Sequence, residues 1–177
     1  MAIESLYWKE ELTRIVKNIS PVSKPERWSE RAVCTVERDI MIGCFIVRRM
    51  IELHKASSHI YIMELEIFST PVVGEITNLN QFSLDENYNW SAESVQNKGV
   101  IYICNQCIHS CISFVEREAD GNWYDFLVVS DFVRDKVIWR IPITTIISLF
   151  DSVSKNRPKS YCMIYEEKLG DYKVTTD

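Results

Sequence analysis

Apolar residues recur at helical spacing through the first third of the chain and at every second position after it. Between residues 4 and 18, charged side chains separate the apolar ones as in an amphipathic helix, and Pro21 and Pro25 then end the segment. The pattern predicts a first helix over residues 4–18, followed by a short connection. Its apolar stripe comprises Leu6, Leu12, Ile15 and Val16.

A second and longer helical pattern begins near Ser29 and continues to about Ala56. Ser29 is a favoured N-cap residue, and Glu30 suits the positive end of the helix dipole in the first turn. Residues 40–47 are apolar nearly all round, which predicts burial on more than one side of the helix. One stripe carries Val33, Val36, Ile40, Cys44, Val47 and Ile51.

After Ser57 and Ser58 the pattern changes to period two, which predicts a strand with a partly solvated face. Tyr61, Met63, Leu65 and Ile67 share one face, and Ile60, Ile62, Glu64 and Glu66 share the other. Residues 69–99 are predicted to form loops, because they contain Pro71, Gly74, Asn78, Asn80 and Asn87.

The second half of the chain mixes strand and helix patterns. A helix is predicted to begin within 91–98 and to end near His109, and a polar tail begins at Lys155 with one apolar piece, 161–165. Three strands are predicted over 111–117, 123–130 and 136–141, with a turn at Asp120-Gly121-Asn122 and a helix over 143–153 after Pro142. The pattern predicts an α+β fold, with an N-terminal helical pair followed by a mostly antiparallel sheet and additional short helices.

A length of 177 residues predicts a single domain over 1–177, with a helical layer at 1–57, a sheet-rich part at 58–154 and a polar tail at 155–177. The 46% hydrophobic and 25% charged residues are typical of globular proteins. Neither a signal-peptide pattern nor an apolar run of spanning length occurs, so we expect a cytosolic protein with reduced cysteines and no membrane partner. The net charge of −5 disfavours broad electrostatic binding of nucleic acid.

Residues 102–111 concentrate reactive and hydrogen-bonding side chains in an otherwise apolar stretch. Cys104, Cys107 and Cys111 would share one helix face, and cysteine with His109 suits zinc. Zinc sites usually draw ligands from two separate knuckles, however, and the chain contains no second cluster. We therefore expect neither a metal nor another cofactor.

The same predicted helix places Tyr102, Asn105 and His109 on one face, with Asn105 and His109 spaced to interact. Such a cluster can bind a small ligand or move a proton. The alternative is a buried network that fixes the packing of helix against sheet.

Near the end of the second helix, Arg49 and His54 form an Arg-x4-His pattern, with Arg48 just before it. This pattern resembles the motif of HEPN-domain ribonucleases, which are all-helical and usually dimeric. The resemblance implies metal-independent RNA cleavage, in which the histidine acts as general acid or base and the arginine stabilises phosphorane charge. The alternative is that His54 interacts with the dipole at the helix C-terminus.

The leading hypothesis is a small cytosolic binding or accessory protein that acts through self-association or a protein partner. A helix over 29–56 that is apolar on more than one side would leave an uncovered face in a two-layer domain. This helix, or the helix over 4–18, is the predicted interface.

Overall fold

A computed structural model describes residues 2–20, 29–118, 121–168 and 170–177. Its helices are α1 (Ala2–Ile19), α2 (Glu30–Glu52), α3 (Ser58–Ile62), α4 (Leu84–Asn87), α5 (Val100–Ile108) and α6 (Ile143–Lys155). Its strands are β1 (Glu64–Pro71), β2 (Ser94–Gly99), β3 (Ser110–Arg117), β4 (Trp123–Ser130), β5 (Val137–Pro142), β6 (Tyr161–Glu166) and β7 (Asp171–Thr176). The predicted α+β class is confirmed.

The N-terminal helical pair forms as predicted. Ser29 caps α2, because its Oγ accepts a hydrogen bond from the Ala32 N–H at 3.2 Å. The fully buried Asp39 of α2 accepts a hydrogen bond from Asn18 Nδ2 of α1 at 3.0 Å, which connects the two helices. Its charge is balanced by an ion pair with Arg38, in which Nη2 lies 2.7 Å from Asp39 Oδ1. These bonds hold the pKa of Asp39 below its ordinary value, although burial opposes them.

The first strand is shorter than predicted. Residues 58–62 form α3, and β1 begins only at Glu64, so Tyr61 and Met63 lie outside the strand. A tertiary contact fixes this turn, because Asn156 Oδ1 accepts from the backbone N–H of Ser57 at 2.8 Å while Ile60 is fully buried. Local alternation therefore gives way to long-range packing.

The five-stranded sheet is antiparallel throughout, in the order β2-β1-β5-β4-β3. The predicted turn between β3 and β4 is confirmed at Gly121, whose φ of 82° favours glycine, while Asp120 lies outside the described residues. Strand β2 corrects the predicted loop at 94–99, and α5 begins after it, at Val100. The residues of β2 are mainly polar because it is an edge strand, so it lacks a hydrophobic period.

Each face of the sheet has its own core. Helices α2, α5 and α6 pack on the face that carries Phe126, Val128 and Trp139, and α1 packs on α2 and α6. Segment 72–90 covers the opposite face, where Tyr88 and Ile76 bury Leu127, Val129 and Ile138. Part of the segment predicted as loops is thus a cover for the sheet.

The predicted polar tail forms a separate two-stranded sheet from β6 and β7. Its turn includes Gly170 at φ 63°, a left-handed conformation that favours glycine. Thr176 attaches the hairpin to the body, since its N–H donates to Ser58 Oγ at 2.9 Å and its Oγ1 to the Ala56 carbonyl at 2.8 Å. None of the helices in the described part of the chain has the length and apolarity needed to cross a bilayer.

Candidate functional site

A cleft of about 480 Å³ separates the C-terminal hairpin from the body of the protein. The end of α2, helix α3, helix α5 and strand β7 form its walls. Its lining combines an apolar floor with charged and hydroxyl groups, which is typical of binding sites. The lining residues are Arg48, Ile51, Glu52, His54, Ala56, Ser58, Tyr61, Ile101, Tyr172, Lys173, Val174 and Thr176.

A hydrogen-bonded trio joins α2 to α5 beside the cleft. The Arg48 Nη1 donates to Asn105 Oδ1 at 2.9 Å, and the Arg48 Nε donates to Glu52 Oε1 at 2.7 Å. The bond from Arg48 is the main reason that the pKa of Glu52 lies below its ordinary value. Arg48 thereby presents a held guanidinium to the cleft rather than a freely rotating one.

His54 borders the cleft in an uncommon backbone conformation. Helix α2 ends in a Schellman motif, in which the Lys55 N–H donates to the Met50 carbonyl at 2.7 Å and the His54 N–H to the Ile51 carbonyl at 3.0 Å. His54 occupies the position where glycine is usual, with φ of 53°. A side chain in this left-handed region costs about 1–2 kcal/mol.

Of the two residues in the ribonuclease hypothesis, His54 lines the cleft and Arg49 does not. Arg49 donates to Glu52 Oε2 at 3.2 Å and is outside the cleft lining, whereas Arg48 lines the cleft together with His54. Helix α2 also ends at Glu52, so His54 lies beyond the helix on which the resemblance places it. The resemblance covers residues 49–54 alone, since the α+β fold differs from the all-helical family.

The predicted ligand cluster on α5 already contacts other parts of the protein. The rings of Tyr102 and Trp139 pack edge to face, with 5.6 Å between their centroids. Lys98 Nζ lies 5.5 Å from the centroid of the Tyr102 ring. Asn105 accepts from Arg48, as described above. His109 is the exposed C-cap residue of α5, and its backbone N–H donates to the Asn105 carbonyl at 3.0 Å. This geometry suits the buried-network alternative for Tyr102 and Asn105.

Three thiols meet in the core between α2 and α5. Cys104 and Cys107 lie on α5, and hydrogen bonds with them, followed by burial, raise the pKa of Cys44 well above its ordinary value. The prediction that Cys111 shares their helix face is wrong, because α5 ends at Ile108 and Cys111 lies on β3. No group of three or more histidine, cysteine or acidic residues in the described ranges is arranged to hold a metal ion.

An ion-pair cluster that has no sequence pattern lies on the opposite face of the sheet. Arg140 donates to Glu93 and to Asp125, each at 2.6 Å, and its guanidinium carbon lies 4.0 Å from the Phe68 ring centroid. Burial and the charge of Asp125 raise the pKa of nearby Glu116. These residues are distant in sequence, and the antiparallel register brings Phe68 and Arg140 side by side.

No family model, curated protein or solved structure matches the chain. The fold and the cleft define an α+β protein with a helical layer on a five-stranded antiparallel sheet and an attached hairpin.

Proposed function

We propose that this chain is a small cytosolic binding or accessory protein that holds another polypeptide, either a second copy of itself or a different protein. The binding surface consists of the cleft and the hairpin β6–β7 above it. Helix α2 takes part through Arg48, Ile51 and Glu52, and its outward residues Ile42 and Phe45 are also exposed.

The exposure of the hairpin is the observation that carries this proposal. Large apolar side chains on both of its faces remain at least half exposed: Tyr161 at 50%, Met163 at 64%, Ile164 at 63%, Tyr165 at 54% and Tyr172 at 59%. An isolated two-stranded sheet is marginally stable in water, and three or more strands or a packed face are needed. Tyrosine and methionine are enriched in protein interfaces, so a polypeptide partner fits this surface.

The cleft adds selectivity to this apolar surface. Its floor contains Ile51, Ala56 and Ile101, which suit an aliphatic or aromatic side chain of a partner. Arg48 and Glu52 supply a fixed donor and a fixed acceptor beside that floor. A partner segment with one apolar anchor and flanking polar groups matches this arrangement.

The cysteines support a location in the reducing cytosol. All six are free thiols, including the buried cluster of Cys44, Cys104 and Cys107. Disulfides are rare in the cytosol, where thiols stay reduced. Because Cys44 on α2 interacts with Cys104 and Cys107 on α5, oxidation there would disturb the contact between the two helices.

Site-specific photocrosslinking in cells of the protein's own organism tests the proposal. A photoreactive phenylalanine replaces Tyr172 in the cleft, and the control carries it at Phe132, which is 87% exposed on the turn between β4 and β5 and does not line the cleft. We expect a discrete polypeptide adduct from position 172 that position 132 does not give. The absence of such an adduct, or the same adducts from both positions, would contradict the proposal.

A metal-independent ribonuclease that uses Arg49 and His54 is the second candidate. The observation that favours it is the strained backbone of His54 beside the cleft, since such conformations cluster at functional sites. It predicts RNA cleavage in EDTA that disappears in His54→Ala while the fold persists. Cleavage that survives this substitution would eliminate the candidate.

Binding of a small ligand by Tyr102, Asn105 and His109 is the third candidate. The bond between Arg48 and Asn105 limits it, because a ligand that uses Asn105 Oδ1 must displace the guanidinium. The candidate predicts that Asn105→Ala abolishes ligand binding with little change in stability. A large loss of stability would instead favour the structural network.

A further inference from the structure

Strand β6 has an outer edge that no strand covers in the part of the chain that the structure describes. Ser160 and Asp177 exchange two backbone hydrogen bonds, of 3.4 and 3.3 Å. Bonded and non-bonded pairs alternate along an antiparallel ladder. The N–H and C=O groups of Tyr161, Met163 and Tyr165 therefore point away from β7, toward this outer edge.

The other edge of the hairpin faces the body of the protein. By the same alternation, Tyr172, Val174 and Thr176 direct their backbone groups away from β6. At that edge the Thr176 N–H donates to Ser58 Oγ at 2.9 Å. The edge of β7 thus borders α3 and the cleft, while the edge of β6 is directed outward.

The two edges of the large sheet carry features that discourage pairing, and the edge of β6 does not. Edge strand β2 is mainly polar and ends in Lys98 and Gly99, and edge strand β3 has register shifts near Arg117. Residues 161–165 contain no charge, proline or glycine. An exposed, apolar and regular edge of this kind is a template for another strand.

We infer that two copies of the chain pair antiparallel through their β6 edges, with the twofold axis at Met163. The three residues whose backbone groups face outward, Tyr161, Met163 and Tyr165, are symmetric about Met163. Met163 therefore pairs with Met163 of the second copy, and Tyr161 pairs with Tyr165 of the second copy. Each of these facing pairs exchanges two N–H···O=C bonds. The two hairpins become one four-stranded sheet with a continuous face of tyrosine and methionine side chains, which meets the three-strand requirement.

Charge complementarity selects a second copy as the occupant. Lys159 precedes the uncharged run, and Glu166 and Glu167 follow it. Lys159 and Glu167 flank β6, so antiparallel pairing about Met163 brings Lys159 of each copy near Glu166 and Glu167 of the other, whereas parallel pairing would bring like charges together. The inference rests on the proposed binding role of the hairpin and names its partner.

Charge substitution at the twofold axis tests the pairing. Met163 is 64% exposed, so Met163→Lys and Met163→Glu leave the fold intact. We expect native mass spectrometry to find wild-type dimers and to find that each variant alone dimerises roughly tenfold more weakly, because like charges meet across the axis. A mixture of the two variants should recover dimers that contain one of each. The same pair of changes at Phe132 is the control and should leave the dimer unaltered.

A disulfide test determines the register. The non-bonded pair between Cys162 and residue 164 of the second copy has a Cα separation of about 4.5 Å, which a disulfide can span. In a Cys34→Ser background, Ile164→Cys should give a covalent dimer on mild oxidation. Adding Cys162→Ser should abolish that dimer while the non-covalent association persists.

The Met163 variants and the disulfide test decide whether β6 pairs with a second copy. Crosslinking from position 172 tests the proposed binding function separately. A monomer at tens of micromolar, or a dimer that both Met163 variants retain, would overturn the β6 pairing. If position 172 still captures a different polypeptide, the binding role stands without self-pairing. If neither a dimer nor an adduct forms, both proposals fail.

Discussion

Replacing His54 with glycine separates the backbone role of this residue from any role of its imidazole. His54 occupies the C-terminal position of the Schellman motif of α2, with φ of 53°. Glycine adopts this conformation without steric cost, because it has no Cβ. His54→Ala is the matched control, since it removes the imidazole and keeps the Cβ.

The expected gain follows from two opposing effects. Relief of the left-handed strain contributes about 1–2 kcal/mol. The greater backbone freedom of glycine in the unfolded chain subtracts roughly 0.5–1 kcal/mol. We therefore expect His54→Gly to raise the free energy of unfolding by about 0.5–1 kcal/mol and His54→Ala to change it little.

Urea denaturation followed by tryptophan fluorescence measures this difference. With an m-value of about 2 kcal/mol/M, a gain of about 1 kcal/mol moves the midpoint upward by about 0.5 M. The melting temperature should rise by about 2–4 °C for a chain of this size. An RNA-cleavage assay on the same variant then examines the ribonuclease hypothesis in a protein that is more stable than the wild type.

Two results would refute this reasoning. A loss of stability in His54→Gly that His54→Ala shares would mean that the imidazole makes contacts worth more than the backbone strain. An increased free energy of unfolding in both variants would mean that the imidazole side chain, rather than the backbone φ, destabilises the wild-type protein. In either case the strained backbone would lose its significance as a sign of function.

Three further substitutions examine other parts of the structure by urea denaturation. Gly43→Ala should cost about 1–3 kcal/mol, because the added Cβ would overlap the buried Phe150 ring, and an unchanged midpoint would contradict this packing. Burial lowers the pKa of Lys9 from 10.5 to about 8. Between pH 8 and pH 10.5 the unfolded chain therefore binds more protons than the folded one, so the free energy of unfolding should rise with pH over this range, by up to about 3 kcal/mol. Lys9→Met should flatten this rise, and an equal slope in both proteins would contradict the assignment. Asn105→Ala should cost about 1–2 kcal/mol, because it removes the acceptor of Arg48 Nη1 while the bond from Arg48 Nε to Glu52 remains, and a loss below about 0.3 kcal/mol would count against the structural network.

The elements that the sequence predicts well have a period and a boundary signal together. Helix α2 has an apolar stripe and the Ser29 cap, and strand β4 follows a glycine turn and ends at Ser130 as predicted. Residues 58–62 had the period of a strand, but the Asn156 contact with Ser57 lies 99 residues away in sequence. Propensity gives way where such a long-range bond fixes the backbone.

The candidate site was less predictable because its parts are distant in the chain. The cleft joins Arg48 to Ile101 and Tyr172, and no local pattern links these positions. Cys44 joins Cys104 and Cys107 in the same way, across the packing of α2 on α5. The sequence identified Arg48 only as the neighbour of Arg49, because helical spacing alone does not determine which of two adjacent arginines faces a third element.

The sequence pattern does not predict the hairpin, and the same property of β6 that hides it also makes it a candidate interface. A strand inside a folded chain alternates apolar and polar residues because one face is buried, and β6 instead has apolar residues on both faces. In a buried parallel sheet such a run is ordinary, but β6 is exposed along almost its whole length. A strand with two apolar faces and a free edge reaches its stable state when another chain supplies both the cover and the next strand. If the proposed pairing holds, the lack of period in residues 161–165 is the sequence signal for it.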